Sequence, residues 1–225
     1  MTQSAIVLNG ASLLADPSGA LVWPAQAAVV VADLHLEKGS GFARRGTLLP
    51  PYDSAATLDR LAAVVAAHKP RQVICLGDSF HDGDAPLRLN AADTDKLRAL
   101  TASVEWTWIA GNHDPEPPAG LGGRVADEIA IGPLVFRHEA RPGANAGEVS
   151  GHFHPKARVE TRGRFVAGRC FVEDGMRLIL PAFGAFAGGL DVFDPAIRGL
   201  MGRAFQVHLI GRDRVHRFAH GQIAQ

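Results

Sequence analysis

The chain begins with short apolar runs separated by turn residues: Ile6 to Leu8, Ser12 to Ala15, then Asp16-Pro17-Ser18-Gly19, then Leu21 to Trp23. Two strands around a Pro/Gly turn form a hairpin. Ala27 to Ala32 follows, a continuous run of small and β-branched residues without polar alternation. It predicts a strand buried on both faces and ending at Asp33. From Ser54 the period changes. Leu58, Leu61, Val64 and Val65 recur at helical spacing, Asp53 or Ser54 can cap the start, and Lys69-Pro70 ends the run. Arg71 to Leu76 predicts a second buried strand halting at Gly77-Asp78. A second helix over Ala91 to Thr101 precedes a third strand, Val104 to Ala110, which halts at Gly111-Asn112. This β-α-β-α-β order is that of a parallel sheet with crossover helices.

Beyond about residue 122 the helical period disappears. Short strands are predicted at Leu134 to His138, Glu148 to His152, Ala157 to Glu160, Cys170 to Glu173, Arg177 to Leu180 and Phe205 to Ile210. Pro115 to Gly123, rich in Pro and Gly, predicts a surface loop. No internal repeat, low-complexity tract or long linker divides the chain, so residues 1–225 read as two layers of one domain.

A chain of 225 residues can bury a sizeable core without disulfides. Lys plus Arg (23) equals Asp plus Glu (23), which excludes a generally basic nucleic-acid binder and an acidic disordered chain. The balance hides an asymmetry: residues 1–140 carry 11 basic and 16 acidic side chains, residues 141–225 carry 12 and 7. Cys75 and Cys170 both sit in apolar strand runs, as reduced buried thiols do. There is no basic n-region before a long apolar run, and no uncharged stretch of the roughly 18–20 residues that span a bilayer. A soluble cytoplasmic protein with no membrane partner is expected.

The ten histidines change the picture. Five polar clusters each follow or end a predicted strand: Asp33-Leu34-His35, Gly77-Asp78, Gly111-Asn112-His113-Asp114, His138, and Gly151-His152-Phe153-His154. Ligands bind beyond the carboxyl ends of strands in open α/β sheets. In an extended segment residues i and i+2 point to one side, so Asp33 with His35, and His152 with His154, can each aim two ligand atoms into one cavity. The glycines before Asp78, Asn112 and His152 allow close backbone approach or unusual dihedrals near a bound anion. Carboxylate, amide and imidazole without thiolate suit Mn, Fe, Zn, Ni or Co and poorly suit Ca or an iron–sulfur cluster. The supply exceeds the needs of one ion. Two divalent ions about 3.5–4 Å apart with a shared carboxylate would use it, and would clamp both attacking and leaving oxygens of a phosphoryl group. Isolated histidines such as His68, His208, His216 and His220 read as surface or satisfied core residues.

In this order, the five motifs resemble those of the calcineurin-like metallophosphoesterase superfamily: Asp-x-His, Gly-Asp, Gly-Asn-His-Asp or Glu, a single His, and Gly-His-x-His. One departure is that His138 is followed by Glu139, where the superfamily often has Gly. More narrowly, residues 32–39 (ADLHLEKG), 76–82 (LGDSFHD), 108–115 (WIAGNHDP) and 180–186 (LPAFGAF) resemble the bacterial branch of ligase-associated DNA damage response endonucleases known as PdeM. The resemblance implies an α/β fold, a four-layer α/β/β/α sandwich of two mixed β-sheets flanked by helices. It implies that Asp33, His35 and His154 hold a first metal, that Asp78 bridges, and that Asn112, His138 and His152 hold a second, with Mn the expected ion. His113 would stay off the metals and assist the phosphorane or leaving oxygen, with Asp114 as its orienting partner. The implied reaction is phosphodiester hydrolysis by in-line attack of a metal-bridging hydroxide. The implied role is Mn-dependent endonuclease action on single-stranded DNA in repair, with a functional link to a DNA ligase and helicase system. The same motifs serve phosphatases or pyrophosphatases of small nucleotide or lipid-linked substrates, and a non-catalytic scaffold is a third reading; a homodimer is compatible with each.

For substrate contacts, Lys38, Arg44 and Arg45 follow the first motif and can meet phosphate, while Phe183 or Phe186 can stack a base. The alternatives are solvated charges and a core-closing loop. Lys156, Arg158, Arg162, Arg164 and Arg169, set against Glu160, form a second basic cluster just after the last motif. Their alternation would line one strand face, either guiding a phosphate backbone or forming a solvated hairpin. Arg212, Arg214 and Arg217 read as ordinary surface.

Overall fold

The computed structural model of the chain describes residues 2–116, 119–143, 145–161 and 163–224; Arg162, of the second basic cluster, lies outside them. The first sheet comprises β1 (Ser4–Leu8), β2 (Ala11–Ala15), β3 (Leu21–Trp23), β4 (Ala28–Val31), β5 (Gln72–Leu76), β6 (Glu105–Ile109) and β7 (Arg124–Ala126), in that spatial order. β1 to β4 pair antiparallel and β4 to β7 pair parallel. Helices α1 (Lys38–Arg44), α2 (Asp53–His68), α3 (Ala85–Arg88) and α4 (Ala91–Ser103) lie in the crossovers. The strands expected to be buried on both faces are so. Val29, Val31, Val73, Cys75, Trp106 and Trp108 pack with Leu58 and Leu61 of α2 and Leu97 of α4. Val30, Ile74, Leu76 and Ile109 face the opposite way.

The second sheet comprises β8 (Glu128–Ile131), β9 (Leu134–Arg137), β10 (Glu148–Ser150), β11 (Lys156–Thr161), β12 (Arg164–Glu173), β13 (Arg177–Ile179), β14 (Gln206–Ile210), β15 (Val215–Ala219) and β16 (Ile223–Ala224). Its order is β15-β14-β12-β13-β10-β9-β8, with β11 between β12 and β16. β9, β10 and β13 run parallel and the other pairs antiparallel. Its inner face brings Phe136, Val149, Phe171, Leu178 and Leu180 against the first sheet, and full burial of each such side chain contributes roughly 1.5–3 kcal/mol. Its outer face is covered by α5 (Pro195–Arg198) and the segment carrying Val192, Met201 and Phe205. The architecture is the expected α/β sandwich of two mixed sheets, with a thin fourth layer. Both cysteines are buried and free. Among the described residues no helix is long and apolar enough to cross a membrane.

One local expectation is corrected by tertiary contacts. Neither Asp53 nor Ser54 caps α2, which begins after Tyr52 without a side-chain cap. Instead the Asp53 carboxylate accepts the Gly39 N–H at 2.9 Å, and the Ser54 hydroxyl donates to Glu37 at 2.8 Å, tying α2 to α1. Helix α1 itself defies its composition, since glycine is a poor helix former. Gly39 and Gly41 are required there because a Cβ would lie 2.8 Å from the Asp53 carboxylate or 2.7 Å from the His81 ring. Among its described residues, the expected 115–123 loop includes a 3₁₀ turn, Ala119–Leu121.

The turn after His138 is fixed from below at Arg141 by a buried ion cluster. Glu148, 1% exposed, accepts from Arg137 at 2.8 Å, from the Arg141 N–H at 3.0 Å and from Arg177. Arg177, 3% exposed, also donates to the Leu200 and Arg141 carbonyls, each at 2.6 Å. Glu148→Ala leaves Arg177 buried without its carboxylate and Arg137 with Glu128 alone. The expected loss is about 3–5 kcal/mol of stability, read from urea unfolding midpoints; a loss under 1 kcal/mol would show the cluster to be dispensable.

Candidate metal centre

The two sheets present their carboxyl ends to one place. After β4, residues 33–36 run beside residues 77–81, which follow β5. The His35 N–H donates to the Asp78 carbonyl at 2.9 Å, the Leu36 N–H to Ser79 at 2.9 Å, and the His81 N–H to Leu36 at 3.0 Å. From the second sheet, the Gly151 N–H meets the His138 carbonyl at 2.8 Å. The sheets are stitched together where the Phe183 N–H donates to Ala32 at 2.8 Å and the Gly184 N–H to Asp33 at 3.1 Å.

The i, i+2 pairs converge, but not by extension. Asp33, His35, Asp78, His152 and His154 all have positive φ, at 54°, 44°, 46°, 69° and 49°. The left-handed conformation costs a non-glycine residue of order 1–3 kcal/mol and persists where surrounding structure imposes it. Here the imposition comes from side chains seated on neighbouring glycines. A Cβ on Gly77 would lie 2.5 Å from the His138 ring, one on Gly111 2.3 Å from Asp78 Oδ1, and one on Gly151 2.5 Å from Asp33 Oδ2. The glycines expected to admit a bound anion therefore admit the protein's own polar side chains.

Two groups result. In the first, His154 Nε2 is 3.4 Å from Asp33 Oδ1 and 3.2 Å from His35 Nε2. In the second, His138 Nε2 is 3.5 Å from Asp78 Oδ1, 2.9 Å from Asn112 Oδ1 and 3.1 Å from His152 Nδ1. Asp78 belongs to both sides: its Oδ2 is 4.0 Å from His35 Nε2 and 4.0 Å from His113 Nε2. The seven residues expected as ligands are thus brought together. Their chemistry fits divalent ions. Imidazole nitrogens face one another and face acceptor-only oxygens at hydrogen-bonding separation, an arrangement a cation resolves, and the set is mixed nitrogen and oxygen without thiolate. His138 Nδ1 donates to the Leu76 carbonyl at 2.9 Å, which leaves Nε2 as its free lone pair.

Burial shapes the charge states. Asp33 is 0% exposed and Asp78 2%. The His152 N–H donates to both oxygens of Asp33, at 3.2 and 3.0 Å, and the His113 N–H to Asp78 Oδ1 at 2.9 Å. Burial, helped by the neighbouring His154, pushes His35 down to about 2. Burial and the neighbouring His138 lower His152. Lys38 is half-buried; burial lowers its ammonium against the pull of Asp33, Asp53 and Asp78, which places the cation in the field of the centre.

Several substrate and catalytic expectations change. Asp114 does not orient His113. Its carboxylate accepts the Ser79 and Phe80 N–H groups at 2.9 and 3.1 Å, and burial beside Asp78 raises it to about 7. His113 Nδ1 instead donates to the His81 carbonyl at 2.8 Å, leaving Nε2 toward Asp78. Phe183 is 0% exposed with the Arg60 guanidinium 4.8 Å above its ring, so it closes the core and cannot stack a base. Arg44 pairs with Asp84 at 3.1 Å. With Arg45, Asp82 and Gly83 these two residues line a cavity of about 520 Å³. Arg169 donates to the Ala182 carbonyl at 2.6 Å, holding the 181–189 loop in place.

His81 is the residue that sequence pattern gives no reason to single out. It is 6% exposed, stacks on His113 at 5.4 Å, lies 6.0 Å from His35 edge-on, and its two ring nitrogens have no hydrogen-bond partner. It follows Asp78 by three residues, a spacing that no metal-ligand rule would weigh without the fold.

Residues 28–180 match the model of the calcineurin-like phosphoesterase family. Among solved structures, the nuclease MPE of Pseudomonas putida superposes with a TM-score of 0.76 at 32% identity, over 96% of this chain and 100% of that one. YfcE, a phosphoesterase from E. coli, superposes with a TM-score of 0.45 at 14% identity, over 85% of this chain and 98% of that one. No curated protein matches the sequence at a significant level. The family match contains all five polar clusters, and the MPE likeness extends over nearly the whole chain. The chain belongs to the calcineurin-like phosphoesterase family.

Proposed function

We propose that the protein is a binuclear metal-dependent phosphodiesterase that cuts single-stranded DNA endonucleolytically, with Mn as its ion. The observation that carries the metal part is the position of Asp78, whose two oxygens turn toward two separate histidine groups. The nuclease part is supported by the likeness to P. putida MPE. Asp33, His35 and His154 would hold one ion, Asn112, His138 and His152 the other, and Asp78 both. When bound, two such ions neutralise phosphoryl oxygens and activate the attacking water.

The chain's own contribution lies in orientation and proton handling. Backbone N–H groups from the His113 and His152 turns hold the Asp78 and Asp33 carboxylates in single rotamers. His113 stays outside both ligand groups with 41% of its side chain exposed, and the His81 carbonyl fixes Nδ1 as the donor nitrogen. Protonated at Nε2, it delivers that proton to the departing oxygen. Asp114, bound to the Ser79 and Phe80 N–H groups, holds the turn that presents Asp78.

Four outcomes are expected. On circular single-stranded DNA with Mn, the wild-type protein linearises the circle; a wild type active only on small phosphate esters would replace the nuclease reading with a small-substrate one. His113→Ala retains both ions by elemental analysis while its rate drops about 10²- to 10⁴-fold, whereas Asp78→Asn loses metal and activity together. An active, metal-replete Asp78→Asn protein would remove the bridging role.

The fourth concerns pH. Above about 6.5, His35 is neutral in both folded and unfolded chains and costs nothing. Below that value the unfolded chain takes up a proton that the buried folded site refuses, so stability falls as pH drops from about 6.5 toward 2. Metal-free wild type should lose up to about 2 kcal/mol between pH 7 and 5 through this group, and His35→Asn should flatten that slope in urea titrations. An unchanged slope would show His35 to be protonated in the folded apoprotein.

A further inference from the structure

The hairpin of β11 and β12 starts two residues after His154, and its exposed face has a composition that the metal centre does not use. The register pairs Lys156 with Arg169, Arg158 with Ala167 and Glu160 with Phe165, so these six side chains share one face. The opposite face of β11, Ala157 and Val159, is buried in the core. On the shared face the inner pair is committed to the fold. Lys156 packs over Gly189, whose added Cβ would lie 3.0 Å from the lysine stem, and Arg169 binds the Ala182 carbonyl. Farther out, Phe165 is 61% exposed, and the diagonal neighbour Arg158 places its guanidinium 4.8 Å from the ring centroid. A phenylalanine so exposed, with one face against a cation and the other toward solvent, is a stacking surface rather than a core residue.

We propose that Phe165, backed by Arg158, is a platform on which an unpaired nucleobase of the substrate strand stacks. The inference rests on the nuclease reading above and deepens it by assigning a base-binding subsite. Its position suits that role. Phe165 lies opposite Glu160, four strand residues or about 13 Å beyond Lys156. A single strand with a stacked rise of about 3.4 Å per nucleotide reaches it within a few nucleotides of the metal centre. The platform also gives a physical reason for single-strand preference, since a base within a duplex has both faces already stacked, and stacking on an aromatic side chain tolerates any base.

The test compares wild type, Phe165→Ala and Phe165→Trp on three substrates: an oligothymidylate, a sugar-phosphate oligomer lacking bases, and bis(p-nitrophenyl) phosphate. Wild type is expected to favour the oligothymidylate over the baseless strand. Phe165→Ala should raise KM for the oligothymidylate about 5- to 100-fold with little change in kcat. It should also erase the preference for bases, and Phe165→Trp should restore both. Equal loss on all three substrates, or no change on the oligothymidylate, would overturn the platform while leaving the nuclease reading intact. Sedimentation of each variant covers the other occupant: a wild-type dimer dissociated by Phe165→Ala would make this face a contact between two copies and overturn the proposal. A wild type that turns over the small diester and cuts neither strand would sink the nuclease reading and the platform with it.

Discussion

Two carboxylates, Asp33 and Asp78, lie almost wholly out of water among six imidazoles. Buried charge costs several kcal/mol per ion unless it is paired and hydrogen-bonded. The rest of the centre answers that constraint. Each carboxylate takes a backbone N–H from a different motif, Asp33 from His152 and Asp78 from His113. The remaining negative charge is what divalent ions would balance. The centre is therefore unfavourable for the bare fold, and the opposing stability resides in the three apolar layers around it, two packed on the first sheet and one on the outside of the second.

Holding such a site requires precision that loops alone lack. The motif turns are not free loops. They are zipped to one another by backbone hydrogen bonds and wedged by side chains that occupy the space a Cβ would need on Gly77, Gly111 and Gly151. Each motif supplies the seat for a ligand of another, so the left-handed conformations at five candidate ligands are mutually enforced. The His138 turn is fixed in the same spirit from beneath, where Glu148 and Arg177 bind the backbone of Arg141.

Charge is distributed with the same economy. The formal balance of 23 basic and 23 acidic residues conceals a first half whose acids include the buried Asp33 and Asp78 and a second half with a basic cluster on the hairpin after His154. Two bases serve the fold: Arg169 on the hairpin and Arg60 on α2 hold the carbonyls of Ala182 and Phe183, duties that keep the 181–189 loop against Asp33. Lys38 sits in the field of the two buried carboxylates, and Arg158 lies against the Phe165 ring on the hairpin.

Periodicity and motif order were enough to read the parallel β4–β5–β6 core, the helices between them, the strand-rich second half and the identity of the residues that converge. Unbroken apolar runs have one good solution, burial on both faces, and imidazoles and carboxylates stationed at strand ends have few reasons to be there. What sequence could not reach were features set by contacts between distant segments. Helix α1 forms through Gly39 and Gly41 because Asp53 and His81 fill the space beside them. Asp53 and Ser54 leave the helix cap to bind α1. Asp114 and His81 exchange the orienting role assumed from adjacency, and Phe183 turns inward. Local pattern decides which side chains must leave water and which can bind a cation. Only tertiary contacts, above all the meeting of two sheets at their carboxyl ends, decide which group each polar side chain finds, since those partners lie 14 to 119 residues away.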